Sequence, residues 1–243
     1  MIITSLSNPK IKEIIKLKEK KYRDLTNTFL VETEHLVSEA YRAKLLKTII
    51  LLDGVRNPYP DIDTIYVTKD IMKKISSLES ISNIVGIVNK KAEQEIGNKI
   101  LILDDIQDPG NLGTIIRSSV AFDIDTIILS NNSVDLYNSK VLRSTQGMIF
   151  HKNIIVRDIN SYIKELKEKE YRIYGTRVND GNDIKKVILP TKFAIVVGNE
   201  GKGVSEKNLS LCDEYLYIKM NNKCESLNVS VATSILLYEV YNK

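Results

Sequence analysis

The sequence predicts an α/β protein built from two modules, the second of which contains a mostly parallel sheet. Short apolar strands alternate with helical patterns along most of the chain, and strands that are apolar throughout are typical of a sheet covered on both faces. The polar segment 89–99 (NKKAEQEIGNK) has no apolar face and is the best linker. We therefore predict one α/β domain at residues 1–95 and a second at residues 96–243.

Composition narrows the class of protein. Of 243 residues, 43% are hydrophobic and 27% are charged, which is typical of a globular protein with a substantial core. No apolar run has the length of a membrane span, and charges interrupt the N-terminal segment where a signal peptide would be apolar. Two cysteines and two histidines show no metal-ligand spacing. These features predict a cytoplasmic protein with no metal and no membrane partner.

The first module begins with a basic amphipathic helix. Ser7-Asn8-Pro9 is a typical helix start, and isoleucines follow at helical spacing, so the helix is predicted to run to about Tyr22. The other predicted elements of this module are strand Thr28–Glu32, helix Glu34–Leu46, strand Thr48–Leu52, strand Thr64–Thr68, helix Lys69–Leu78 and strand Ile84–Val88.

Positive charge is concentrated near the N-terminus. Between Lys10 and Arg23, seven lysine or arginine side chains stand against two glutamates, a net charge of +5. A face of this charge density attracts phosphate backbones, although a solvated helix face gives the same pattern. The RNA-binding candidates are Lys10, Lys16, Lys18, Lys20, Lys21 and Arg23.

The second module alternates strands and helices to the end of the chain. Its predicted strands are Ile100–Leu103, Thr126–Leu129, Ile154–Val156, Arg172–Gly175, Phe193–Val197 and Tyr215–Ile218. Its predicted helices are Leu112–Phe122, Ser139–Gln146, Ser161–Glu170, Ser205–Leu211 and Leu227–Tyr241. The last helix is apolar on more than one face, which fits either burial within the monomer or a subunit interface.

The segment 104–119 (DDIQDPGNLGTIIRSS) has the form of a strand, a turn and a helix. Asn111 is a candidate N-cap, Gly113 permits close approach to the first turn, and Arg117 lies one turn later on the same face. Helix N-termini attract anions and arginine binds phosphate in a bidentate manner. The alternative is a capped helix with a surface arginine.

A glycine-rich turn, Gly198 to Gly203, follows the apolar strand Phe193–Val197. It has neither the G-x-G-x-x-G nor the G-x-x-x-x-G-K-[ST] spacing, so a dinucleotide or nucleoside-triphosphate site is disfavoured. Glu200 lies inside the turn, where a carboxylate would oppose a bound phosphate. The turn therefore favours a ligand without phosphate, or a hydrogen-bonding role for Glu200.

A third polar turn opens the last helix with the residues SLNVSVA, 226–232. Polar side chains at this position cap a helix, and they can also hold a substrate. Three such turns in one α/β domain indicate a single composite site.

In their order along the chain, these stretches closely resemble the three motifs of the SpoU (TrmH-type) RNA ribose methyltransferases of the SPOUT superfamily. The matching pieces are N-x-G-x-x-x-R at 111–117, GNEG-x-G at 198–203, and I-x-M at 218–220 with SLNVS at 226–230. The resemblance covers about residue 100 to the C-terminus. The first module resembles, more weakly, the ribosomal-protein-like RNA-binding domain of the rRNA-modifying members, through SNPKIKEIIKL and FLVE.

The resemblance implies a fold and a reaction that the strand pattern alone does not predict. The pattern alone predicts an open Rossmann-like sheet, whereas the family ties its C-terminal segment into a trefoil knot. Family members are homodimers, and they transfer the methyl group of S-adenosylmethionine to a ribose 2′-hydroxyl of RNA, without a metal. An additional RNA-binding domain favours rRNA over tRNA as the substrate.

The resemblance also implies roles for individual residues. Arg117 would be the central catalytic residue, and the remaining catalytic candidates, which would position it and the ribose, are Asn111, Glu200, Ser226 and Asn228. The cofactor would be held by Thr176, Gly198, Asn199, Gly201, Gly203, Ile218, Met220 and Leu227. Because a guanidinium hardly deprotonates, an RNA phosphate or Glu200 would accept the proton.

Three positions depart from the family pattern. Lys219 replaces a proline between the isoleucine and methionine of the third motif, and Thr33 and Asp123 stand where the family usually has glycine. None of these positions has a proposed chemical role. Two alternatives stay open at this point: a non-catalytic RNA-binding or assembly protein that keeps the fold, and a Rossmann-type nucleotide enzyme with an unusual glycine turn.

Overall fold

The computed structural model describes residues 2–243, which form two compact units. The first unit comprises the chain up to Ala92 together with the later segment Asp135–Phe150. The second comprises Glu93–Val134 and His151–Lys243. Each unit is an α/β structure with its own sheet, as the sequence pattern predicts.

The first unit is organised around a mixed sheet. Its elements are β1 (Ile2–Ile3), α1 (Pro9–Lys16), α2 (Lys20–Thr26), β2 (Thr28–Glu32), α3 (Glu34–Arg42), β3 (Leu46–Leu52), β4 (Asp63–Val67), α4 (Lys69–Ile75), β5 (Ile84–Asn89) and, from the later segment, α6 (Ser139–Thr145). The strand order is β1-β4-β3-β5-β2, with β5 antiparallel to both of its neighbours. Isoleucines of α1 and α4 pack with β3 and β4 to form the core.

The predicted N-terminal helix is interrupted. Asn8 caps α1, accepting a hydrogen bond from Lys10 N at 2.9 Å, and α1 ends at Lys16. The chain then turns through residues 17–19 and begins α2. The buried Leu17 and the buried Arg23 explain the break, because a continuous helix could not direct both side chains into the same interior.

The segment 135–150 joins the first unit through buried contacts. Asp135 forms an ion pair with Arg23, and the Phe29 ring lies 4.6 Å from the Tyr137 ring and 6.4 Å from the Phe150 ring, centroid to centroid. Phe29 is only 2% exposed. These long-range contacts assign α6 to the first unit, although its helical pattern stands among those of the second module in the sequence.

The second unit contains a sheet in which every pairing is parallel. Its elements are β6 (Lys99–Leu103), α5 (Pro109–Ala121), β7 (Thr126–Ser130), β8 (Asn153–Arg157), α7 (Ile159–Glu168), β9 (Arg172–Thr176), β10 (Asn182–Asp183), β11 (Phe193–Val197), α8 (Glu206–Leu209), β12 (Glu214–Tyr217) and α9 (Val229–Tyr241). The strand order is β10-β12-β9-β11-β6-β7-β8. The central strands β6, β7 and β11 are buried almost throughout, which accounts for their continuous apolar sequence.

Several helices differ from their predicted bounds by a few residues. The α5 helix starts at Pro109, and Asp108 is its N-cap, accepting a hydrogen bond from Asn111 N at 2.8 Å. Asn111 therefore lies in the first turn, and our prediction that it caps the helix is wrong. Similarly, α9 starts at Val229 with Asn228 as its cap. Among residues 2–243, none of the helices combines the length and hydropathy that a membrane span requires.

Candidate active site

A cavity of about 380 Å³ lies at the carboxyl ends of β9, β11 and β12 in the second unit. In a parallel sheet the strand ends meet at one edge, so loops distant in sequence can build one site there. Every residue predicted to hold the cofactor lines this cavity, namely Thr176, Gly198, Asn199, Gly201, Gly203, Ile218, Met220 and Leu227. Glu200 and Ser226 line it as well.

The glycine turn after β11 is held by its own backbone. Asn199 and Gly203 exchange two hydrogen bonds of 2.9 Å, and the Asn199 side-chain oxygen accepts from Gly201 N at 3.0 Å and Lys202 N at 3.2 Å. Gly203 has a φ of +70°, which favours glycine. A Cβ on Gly198 would lie 2.0 Å from backbone atoms of Gly203 and Val204. The turn therefore depends on glycine for both its conformation and its packing.

The rest of the cavity combines apolar side chains with charged ones. Leu209, Leu216, Val229 and Leu236 line it, and sequence reasoning did not single them out because they are ordinary core positions of their elements. The Thr176 hydroxyl donates to Val196 O at 2.9 Å, so its side chain is engaged within the fold.

Glu200 is the centre of a hydrogen-bond network that reaches α5. Its carboxylate accepts from Asp108 N at 3.0 Å, from Gln107 N at 3.3 Å and from Asn111 Nδ2 at 3.1 Å. Partial burial opposes ionisation, but these hydrogen bonds together outweigh it and lower the pKa of Glu200 below its ordinary value. Glu200 is therefore an ionised acceptor whose oxygens already have partners.

Asn111 extends this network to the last helix. Its side-chain oxygen accepts from Asn228 Nδ2 at 3.0 Å, while the Asn228 oxygen accepts from Ser230 N at 2.9 Å and Ser230 Oγ at 2.7 Å. Because the Glu200 carboxylate can only accept, the amino group of the Asn111 amide must face it. The Asn111 oxygen then faces Asn228 and orients the Asn228 amide in the same way. The structure thus brings residues from all three sequence motifs into contact.

Arg117 lies on α5 and is exposed to solvent. Within residues 2–243, its guanidinium has no ion pair or hydrogen bond. A cation kept free of internal partners is available for an anion from outside. The Ser226 side chain is likewise exposed at the cavity edge.

Asp108 is a residue that sequence reasoning missed. It caps α5 and presents its backbone N–H to Glu200. The signal was present in the dipeptide Asp108-Pro109, since aspartate is a preferred N-cap and proline is favoured at the first helical position. In the described part of the chain, no group of three or more His, Cys, Asp or Glu side chains is placed to hold a metal ion.

The predicted RNA-binding cations are not equivalent in the structure. Lys10, Lys16, Lys20 and Lys21 are exposed. Arg23, in contrast, is 6% exposed, and its guanidinium donates to Leu17 O at 2.9 Å and to Lys18 O at 2.7 Å.

One correction follows for that set of cations, and Lys18 has additional contacts. Arg23 cannot present its charge to RNA in this structure, because its side chain is buried and donates to carbonyl groups just after the end of α1. The Lys18 amine donates to Lys74 O at 2.7 Å and Ser76 O at 3.0 Å, at the end of α4. Desolvation lowers the pKa of Lys18, although the charge of Glu32 opposes the shift.

The fold and site together define an α/β protein with a composite pocket built from a glycine turn, the first turn of α5 and the cap of α9. The profile of the SpoU rRNA Methylase family matches residues 98–238, and that of the MRM3-like substrate binding domain matches residues 8–86. The chain belongs to the SpoU rRNA methylase family.

Individual relatives agree with this assignment. The chain is 38% identical to the 23S rRNA (guanosine(2553)-2′-O)-methyltransferase RlmP of Bacillus subtilis, over 98% of both chains. Among solved structures, it resembles an AdoMet-bound rRNA methyltransferase from Sinorhizobium meliloti, with a TM-score of 0.87, 25% identity and coverage of 100% of this chain and 97% of the other. It also resembles an RNA 2′-O ribose methyltransferase, with a TM-score of 0.82, 27% identity and coverage of 100% and 98%.

Proposed function

We propose that this protein transfers a methyl group from S-adenosylmethionine to a ribose 2′-hydroxyl of rRNA. The observation that carries the proposal is the hydrogen-bond chain Glu200–Asn111–Asn228, which connects the three motifs beside a single cavity. The names of the relatives support rRNA as the substrate class. The same support favours the cytoplasm as the site of action.

The cavity fits S-adenosylmethionine on two structural grounds. Beside Gly203, which lines the cavity, no atom lies within 4 Å of where a Cβ would stand, so a ligand can lie against the backbone there. The leucine-lined wall suits an adenine ring. When bound, this molecule would supply an electrophilic methyl group, while Thr176, the glycine turn and the segment from Ile218 to Leu227 would hold it.

Arg117 would orient the RNA at this site. Its guanidinium stays protonated, so it can bind an RNA phosphate and stabilise negative charge that develops on the 2′-oxygen. Glu200 is poorly suited to accept the proton, since its pKa is lowered and its oxygens already accept several hydrogen bonds. A phosphodiester is a weaker base still, so the proton of the 2′-hydroxyl would leave to solvent water as the methyl group is transferred, and Glu200 would act by positioning Asn111.

We further propose that the chain after β11 forms the trefoil knot of the family. The strand order supports this, because β12 enters the sheet between the earlier strands β9 and β10.

The domain assignment is also a proposal: an RNA-binding domain at residues 1–95 and a methyltransferase domain at 96–243. The profile matches at 8–86 and 98–238 support this division.

We propose a homodimer formed through α5 and α9. Val231, Tyr238 and Tyr241 are 47%, 54% and 55% exposed, which leaves an apolar patch beside Phe122. Sedimentation at micromolar concentration should show a dimer that Tyr238→Glu dissociates. A monomeric wild-type protein would contradict this part of the proposal.

The first experiment is calorimetric titration with S-adenosylhomocysteine, followed by methyl transfer to 23S rRNA mapped at 2′-oxygens. We expect one binding site for S-adenosylhomocysteine per chain. Arg117→Ala should slow methyl transfer by about 10²–10³-fold and leave the dissociation constant for S-adenosylhomocysteine unchanged. Lys164→Ala, another exposed helical cation of the second unit, is the matched control. Absence of binding, both alone and with rRNA present, would reject the proposed function.

A further inference from the structure

A second cavity, of about 450 Å³, lies entirely within the first unit. It is open to solvent and is lined by the first turns of α3, the end of β3, the loop between β3 and β4, and the start of β5. Its lining residues are Glu34, His35, Ser38, Leu51, Val55, Arg56, Pro58, Tyr59, Asn83 and Ile84. Its volume falls within the usual range for small-ligand sites, and the reaction proposed above makes no use of it.

The cavity has an apolar floor and an aromatic wall. Leu51 and Ile84 are 0% and 3% exposed and form part of the floor. The Tyr59 ring packs 4.4 Å from the Tyr41 ring, centroid to centroid, and the Tyr41 hydroxyl donates to Asp61 at 3.1 Å. Contact with the Tyr41 ring therefore restricts the rotation of the Tyr59 ring.

The loop that carries Tyr59 is also held in place. Tyr59 N donates to Asn57 Oδ1 at 2.8 Å, and Asn57 Nδ2 donates to Thr64 Oγ1 at 3.1 Å. Thr64 Oγ1 in turn donates to Ile62 O at 2.8 Å. Because these hydrogen bonds already order the loop, it loses little conformational freedom when a ligand binds.

The polar groups of the cavity are available to a ligand. Within residues 2–243, Arg56 and Glu34 have neither an ion pair nor a side-chain hydrogen bond, and both line the cavity. Arg56 can donate to a phosphate or a base edge, whereas Glu34 repels phosphate and can accept from the N–H groups of a base. His35 already contacts Gln146 O at 3.1 Å.

We propose that this cavity binds one unstacked nucleotide of the RNA substrate, with its base inside and its phosphate at Arg56. The flat base would pack on the apolar floor and the Tyr59 ring, and its N–H groups would donate to Glu34. The phosphate attached to it would accept from Arg56. Sequence-selective recognition of RNA commonly uses splayed bases stacked on aromatic side chains. All lining residues fall within the segment 8–86 that matches the substrate binding domain profile. The inference rests on the proposed function, since it takes RNA as the substrate.

The test measures binding of transcribed 23S rRNA by wild-type full-length protein and by single variants. Tyr59→Ala should weaken binding at least about fivefold, because stacking one base on an aromatic ring contributes that much or more. Arg56→Ala should weaken binding to a similar extent, because it removes a charged contact to the phosphate. Tyr59→Phe, which keeps the ring, should remain within about twofold of wild type. Lys47→Ala, which removes an exposed cation of the same unit outside the cavity, is the matched control and should also remain within about twofold.

Additional readouts separate a binding role from a structural one. The dissociation constant for S-adenosylhomocysteine should not change in any variant, and Arg56→Ala should reduce the slope of log K against log salt by about 0.7. Ultraviolet crosslinking to the RNA should leave a nucleotide adduct on the peptide that contains Tyr59. RNA binding within twofold of wild type for both Arg56→Ala and Tyr59→Ala would overturn the inference.

The inference and the proposed function fail separately. A wild-type protein that binds rRNA through Arg56 and Tyr59 but transfers no methyl group would keep the cavity assignment and reject the enzyme. A wild-type protein that methylates rRNA, with both variants unaffected, would reject the cavity assignment alone. A protein with no affinity for rRNA would reject both.

Discussion

The two cavities of this protein are built in different ways. The cavity of the second unit is shaped by backbone, since its turn depends on Gly198 and Gly203 and on paired main-chain hydrogen bonds. The cavity of the first unit is shaped by side chains, among them Tyr59, Arg56 and the apolar Leu51 and Ile84. A backbone-built site tolerates few substitutions and leaves a recognisable motif, whereas a side-chain-built site can change its ligand by single substitutions.

The largest effect that we predict would break the backbone-built cavity. Gly198→Ala places a Cβ 2.0 Å from backbone atoms of Gly203 and Val204, so the turn must move. We expect affinity for S-adenosylhomocysteine to fall at least about 100-fold, measured by calorimetry. In Gly201→Ala the nearest protein atom is 3.8 Å away, so the turn keeps its conformation, and this variant should lose less than about tenfold in affinity. Equal behaviour of the two variants would refute the distinction.

The next effect concerns the basic surface of the first unit. Replacing the exposed Lys16 and Lys20 by glutamate should weaken binding of rRNA about tenfold and lower its salt slope by up to about 1.4, because fewer counterions are released. The charge-matched control replaces the exposed Lys47 and Lys73 by glutamate. Filter binding between 50 mM and 200 mM salt would measure both, and equal losses in the two variants would show that only net charge matters.

A smaller effect is expected at Glu200. Glu200→Gln replaces an acceptor by a group that is partly a donor, facing the N–H groups of Asp108, Gln107 and Asn111. We expect a loss of about 1 kcal/mol in the free energy of unfolding near pH 7. The pKa of Glu200 is lower in the folded protein than its ordinary value of 4.5. The ionised carboxylate therefore contributes fully to the free energy of unfolding above pH 4.5, and this contribution is lost as the pH falls through the pKa of the folded protein.

Denaturant titration at several pH values would measure this dependence. The difference between wild type and Glu200→Gln should therefore shrink in acid. A difference that is independent of pH, or that grows in acid, would contradict the role of the ionised carboxylate.

The smallest effect tests two departures from the family pattern. Thr33 has a φ of +88°, which is costly for a β-branched residue, and Asp123 has a φ of +54°, a region that aspartate tolerates. Thr33→Gly should therefore raise the free energy of unfolding by about 0.5–1 kcal/mol, even though the Thr33 hydroxyl accepts from Leu36 N at 3.4 Å. Asp123→Gly should change it by less than about 0.5 kcal/mol. Destabilisation by Thr33→Gly would show that the cap matters more than the strain.

Much of the second unit could be predicted from its sequence. The α/β architecture and the resemblance to the SpoU family are confirmed, and the residues predicted to hold the cofactor line one cavity. This success has a physical reason: buried parallel strands are continuously apolar, and glycine positions are dictated by backbone geometry that few other residues allow. The trefoil knot stays a prediction.

Features that depend on distant parts of the chain could not be predicted. Arg23 looks like its neighbouring lysines in sequence, but its pairing with Asp135 becomes evident only when the chain is folded. The cavity of the first unit likewise assembles α3, a loop and β5, none of which carries a distinctive motif. Local periodicity contains no information on such long-range contacts.

The position of the segment Asp135–Phe150 determines how the molecule can be divided. The chain passes between the two compact units at residues 92–93, 134–135 and 150–151, so a single cut cannot separate them. A fragment that ends near residue 95 would expose Phe29 and leave the buried Arg23 without its counter-charge. A fragment of the first unit would therefore need Asp135–Phe150 supplied with it, and a fragment of the second would need a linker in place of that segment.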